Sequence, residues 1–172
     1  MYKTYLLLVC STGLTAALIL LAIVVLIFLQ VLFRYIIHQP LSWTVELSRF
    51  LFAWVSMLGA AAAAPEIFNQ GMDLLVRKFS EKAQVVSDVA ARIFTALTSC
   101  ALIVYAVDLV GRVHSQLSSV LRIRMSLVYA AIPAGLVLFL VIFSLDSLIL
   151  YKKLERSAGE SFIAKLKRVA GE

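Results

Sequence analysis

From Thr4 to Phe33 the chain runs thirty residues without a charged side chain. At about 1.5 Å per residue, a helix of that length reaches about 45 Å, and a bilayer's hydrocarbon core is about 30 Å thick. In lipid every backbone N–H and C=O must be bonded within the segment, so such a run is a helix that tilts or protrudes. A β-barrel would show alternating segments of about ten residues, and none is present.

Phe50 to Pro65 is also free of charge. Of the 172 residues 62% are apolar and only 15% charged, whereas a soluble domain has about a quarter charged. The sequence therefore predicts an all-α integral membrane protein: four transmembrane helices with one or two amphipathic interfacial helices, in a single membrane domain. The spans cover about residues 5–36, 43–64, 85–118 and 125–150. The first apolar run follows Lys3, as in a secretory signal, but it is too long for one and lacks a small-residue cleavage site, so it is read as a span. Cys10 and Cys100 fall inside spans and read as small apolar packing residues.

Between the first two spans, Phe33 to Trp54 carries Arg34, Glu46 and Arg49 beside Tyr35, Trp43 and Trp54. Trp and Tyr favour the headgroup zone, and charge costs less there than at the bilayer centre. This stretch is a hairpin at one membrane surface, with its turn at Pro40 and Ser42 as the N-cap of the second helix. Glu46 and Arg49 share a helical face and are predicted to pair with each other or with Arg34.

Pro65 is expected to end or bend the second span, and Asn69-Gln70-Gly71 to break the chain. Met72, Leu75, Val76 and Phe79 then recur at the spacing of an amphipathic interfacial helix over about 72–80; the alternative is the polar start of the third span. Asp108 and Arg112 are spaced to pair along one face. Pro133 and Gly135 predict a kink in the fourth span. The basic tail, 151–172, reads as a second surface helix on anionic lipid or as a solvated tail.

Four spans put both termini on one side. That side holds eleven basic residues and all seven lysines; the other holds five arginines, Arg34, Arg49, Arg112, Arg122 and Arg124. The positive-inside rule places both termini in the cytoplasm. Arginine's planar fork suits fixed ion pairs, so the five outer arginines are candidates for contacts with fixed partners; the alternative is that arginine simply tolerates the interface by snorkelling.

His38 and His114 both fall at the outer surface, which argues against haem. No phosphate loop, metal cluster or nucleophile–base spacing is present, so neither an enzyme nor a resident cofactor is expected. No nucleic-acid role is expected of so apolar a composition; the net charge of +6 points to anionic lipid.

Arg34-Tyr35, Pro40-Leu41-x-Trp43, Glu46-Leu47-x-Arg49 and Leu51-Phe52-x-Trp54 resemble the signature region of the small membrane subunit of tripartite ATP-independent periplasmic (TRAP) transporters, the DctQ-like Q subunit. Gly59 to Ala64, Gly71-Met72-Asp73-Leu74 and Ile132-Pro133-Ala134-Gly135 are similar to later parts of that family, although Gly71 stands where the family often has histidine. The resemblance implies a multi-pass protein of the bacterial inner membrane and two partners besides lipid. One is a large membrane subunit carrying the substrate path and the sodium sites; the other is a periplasmic substrate-binding protein delivering an organic acid, such as a C4-dicarboxylate or a sialic acid. The small subunit would brace the large one and help dock the binding protein, with Arg34, Trp43, Glu46, Arg49, Arg112, Arg122 and Arg124 as structural or partner-facing residues. The alternative is a self-sufficient four-span carrier or channel acting as a homo-oligomer. Such carriers resemble shorter chains with a glutamate in the first span, which this chain lacks.

Overall fold

The computed structural model describes residues 2–39, 41–76 and 81–169. In chain order the helices are α1 (Tyr2–Tyr35), α2 (Ser42–Val76), α3 (Glu81–Arg112), the short α4 (Met125–Tyr129) and α5 (Ala131–Val169). Four stretches are long and apolar enough to cross a membrane: Lys3–Tyr35, Ser42–Glu66, Ala83–Arg112 and Met125–Lys152. Each overlaps one of the stretches read as spans from the sequence, and the third helix ends at Arg112, short of Ser118.

α1 closes with a left-handed residue, His38 at φ 56°, and the Gln39 N–H donates to the Phe33 carbonyl at 3.1 Å. Histidine is among the residues that tolerate this conformation best after glycine. Pro40, the expected turn residue, lies outside the described residues. Ser42 is the first helical residue of α2, not its cap. Thr44 fastens the entry instead: its N–H and its hydroxyl both donate to the Leu41 carbonyl, at 3.3 and 2.7 Å. Its side chain is fully buried, and the second bond keeps its hydroxyl from being stranded there.

The predicted break after Pro65 is absent: α2 runs through Pro65 and Asn69-Gln70-Gly71 to Val76. Proline removes one N–H and crowds the carbonyl four residues back, here that of Ala61, but helices in apolar surroundings accommodate this locally. Met72–Val76 thus forms the end of α2, and 77–80 lie outside the described residues. The predicted tail helix is likewise continuous with the fourth span, since α5 extends to Val169; residues 170–172 lie outside the description.

α1 packs mainly on α2, and α2 on α5, while α3 leans on α5 and touches α2 little. The core lies where α2 meets α5, around Ile142, Phe143, Ala61 and Ala131. Small residues let helices approach closely in membranes. Gly135 does so here: a Cβ at this position would lie 2.6 Å from the Met57 Cβ. Pro133, just upstream, has no N–H for the Tyr129 carbonyl, and the fourth span is divided at Ala130 between α4 and α5.

Candidate functional site

The ionic side chains with partners remote in sequence lie toward the two ends of the bundle. At the end bearing the α1–α2 turn, the loop from Val113 to Arg124 folds back on itself. The Ser118 N–H donates to the Ile123 carbonyl and the Met125 N–H to the Gln116 carbonyl, each at 2.9 Å. Leu117 and Arg124 form an antiparallel bridge, and Arg122 turns the corner at φ 54°. Three successive main-chain N–H groups are thereby left pointing outward from the loop. Glu46, in the first turns of α2, fills that concavity. Its Oε1 accepts from the Ser119 N–H at 3.2 Å, and its Oε2 accepts from Val120 at 3.1 Å and Leu121 at 2.8 Å. Successive N–H groups of this kind form an anion-binding nest, and a carboxylate is the acceptor they bind best.

Glu46 therefore does not pair with Arg49 or Arg34. Both carboxylate oxygens are engaged by the loop, and Arg34 and Arg49 form no ion pair among the described residues. Arg34 lies beside a small cavity with Gln30 and Ser42, and Trp43 is partly exposed in the first turn of α2. Asp108 and Arg112 do pair, at 2.8 Å, with Arg112 76% exposed. The Arg124 Nη1 is 3.2 Å from the His114 Nε2, so His114 is a loop partner. Glu46 and the loop thus bring Arg122 and Arg124 alongside the start of α2. Arg34, Arg49 and Trp43 lie on the same end of the bundle without joining that network.

The opposite end holds a cluster that sequence reasoning missed. Arg92, on α3, is only 11% exposed. Its Nε donates to Asp88 at 3.0 Å, and its Nη1 donates to Ser147 at 2.8 Å and to Asp146 at 3.4 Å, both on α5. The guanidinium also lies 5.0 Å from the Phe68 ring of α2 and 5.6 Å from that of Phe143. Phe143 is in turn edge-on to Phe68 and stacked on Phe139. A buried guanidinium needs paired acceptors, and the faces of aromatic rings supply further favourable contact. One side chain thus joins three helices. The signal for it was present: Asp88 and Arg92 are four apart, and Asp146 is an acid near the end of an apolar span.

Among the described residues no group of three or more histidine, cysteine, aspartate or glutamate side chains is placed to hold a metal. Glu46 ties the loop to α2, and Arg92 ties α3 to α5.

Residues 23–150 match the family model described as "Tripartite ATP-independent periplasmic transporters, DctQ component". The chain is also 37% identical over 62 residues, 36% of its length, to a Haemophilus influenzae protein named as a TRAP transporter small permease protein. The matched stretch spans 38% of that relative. This is a transport family, not an enzyme family, and its members are multi-pass proteins of the inner membrane. With the family match running from within the first apolar helix to the end of the fourth span, the chain belongs to the DctQ component family of the tripartite ATP-independent periplasmic transporters.

Proposed function

We propose that this chain is the small accessory permease subunit of a sodium-coupled, binding-protein-dependent transporter for an organic acid of the C4-dicarboxylate or sialic acid class. The large membrane subunit carries the substrate path and the sodium sites. This chain braces that subunit in the bilayer and helps dock the periplasmic binding protein. Both termini are cytoplasmic, and the Glu46-anchored loop faces the periplasm.

The observation that carries this reading is how little of the bundle covers itself. In the most apolar part of each of the first three spans only 11% of the residues are buried within the chain, and in the fourth 28%. Such faces are solvated by lipid or by a partner of equal apolarity, and between helices in a bilayer close packing is the main drive to associate. Arg92, a largely buried ionic group, is fixed by partners on α3 and α5. A brace needs fixed pairs of this kind, whereas a transport path needs ionisable groups free to change partner.

Within this reading Arg34, Trp43 and Arg49 stand at headgroup depth against the large subunit, and Arg122 and Arg124 face the binding protein. A tagged pull-down from native membranes in mild detergent tests the reading. A stoichiometric large multi-span partner is expected, and a homo-oligomer without one overturns it. Arg49→Ala should lower complex yield or uptake; unchanged values for both remove that residue from the contact.

A further inference from the structure

Between α2, α3 and α5 runs an apolar groove of about 300 Å³, lined by Met57, Leu102, Tyr105, Ala106, Leu109 and Ile132. It exists because α3 is fastened mainly at its ends. Glu46 holds the loop that follows α3, and Arg92 holds the early part of α3 to α5. Between these points α3 and α2 barely touch, and Tyr105 is 74% exposed.

The four α3 residues of the groove recur at i, i+3, i+4 and i+7, one face of the helix. The next position on that stripe, three residues past Leu109, is Arg112. Its Nε and Nη2 both lie on the Asp108 carboxylate, and its Nη1 hydrogens remain available. Arg122 and Arg124 stand on the loop beyond. The acids at this end are Asp108, already paired, and Glu46, whose oxygens accept main-chain N–H groups. The groove is therefore an apolar slot at membrane depth under a cationic cap. Its volume is at the lower end of the range for small-molecule sites, about 300–1,000 Å³.

We propose that this groove holds one acyl chain of an anionic phospholipid, with the headgroup phosphate on Arg112. The chain fills the space that the two end fasteners leave between α2 and α3. The phosphate accepts from the Arg112 N–H groups left over by Asp108; that pair is neutral as a whole, so the net positive charge at this end comes from Arg122 and Arg124. This does not depend on the transporter reading, and its test involves no transport.

The test reconstitutes the full chain into phosphatidylcholine bilayers containing a small fraction of phosphatidylglycerol with a photoactivatable acyl chain. Adducts should concentrate on residues 102–109 and 132–136 rather than on the lipid-facing stretch from Leu18 to Phe28. Ala106→Phe, which fills the slot, should reduce groove adducts about tenfold, the loss expected when about two methylenes leave contact. Arg112→Gln, an exposed change that leaves the fold in place, should reduce them about fivefold, the scale of one basic residue near a charged headgroup. A phosphatidylcholine probe should show little response to Arg112→Gln. Equal labelling of the groove and of Leu18 to Phe28, or equal labelling by the two probes, overturns the proposal. So does exclusion of the probe when a membrane partner is co-reconstituted, because the groove is then a protein contact.

Discussion

Arg92 and Asp146 meet at 3.4 Å across 54 positions of sequence, and that contact is where α3 is tied to α5. The pair lies largely out of solvent, with side-chain exposures of 11% and 15%. Leaving one partner of such a pair alone is costly, about 3–5 kcal/mol in buried cases. Arg92→Ala and Asp146→Asn should each lower stability by about 2–4 kcal/mol on this basis, read as the midpoint of unfolding in detergent. The double replacement Arg92→Met with Asp146→Leu should recover part of the loss, because an apolar pair strands no charge. A double variant as unstable as the sum of the singles would show that the two side chains act separately.

The loop anchor predicts a local effect. Glu46→Ala removes the acceptor from three N–H groups at once, so hydrogen exchange at Ser119, Val120 and Leu121 should quicken by about tenfold or more. Exchange in the middle of α5 should be unchanged. Glu46→Gln keeps an amide oxygen and should fall between the two. Equal exchange in all three proteins would show that the loop holds its shape without the carboxylate.

Gly135 sets how closely α5 approaches α2. A methyl group there would sit 2.6 Å from the Met57 Cβ and 3.4 Å from its backbone, so Gly135→Ala should cost about 1–3 kcal/mol, the usual range for an overpacked contact. Because the nearest atoms are the Cβ and the main chain, adding Met57→Ala should not restore stability, whereas Met57→Gly should relieve the clash in part. The thermal midpoints of the four proteins decide this.

Much of this was legible from local patterns. The spans followed from runs without charge. The Asp108–Arg112 pair followed from its four-residue spacing, because both partners sit on one helix. The Arg92 cluster was hidden because its α5 partners are remote in sequence, and Arg92 read as one more positive charge near a membrane surface. The partner of Glu46 could not be read from side-chain types at all, since main-chain N–H groups have no residue signature. Proximity in sequence made Arg49 look like the acceptor's mate. The break expected after Pro65 failed for another reason: the effect of proline depends on what surrounds the helix, and apolar surroundings leave the rest of the hydrogen-bond ladder without a competitor.

The arginines of the anchored loop predict a salt effect. Under the docking role proposed for them, Arg122→Glu with Arg124→Glu should slow uptake by about tenfold at low ionic strength, with the deficit shrinking as salt screens the contact. Uptake by the reconstituted complex from about 20 to about 300 mM salt measures it. Parallel salt curves for the two proteins would remove electrostatics from the docking step.

The Glu46 anchor reads main chain, not side chains. Any residue with an N–H can stand at 119, 120 or 121 and still be held, and only proline is barred there. The loop's outward chemistry can therefore be rewritten without disturbing its shape. A lineage that acquires a new soluble partner could re-surface Ser119, Val120 and Leu121 one at a time, each intermediate keeping the same backbone course. The fixed carboxylate would be what leaves that stretch of sequence free to drift.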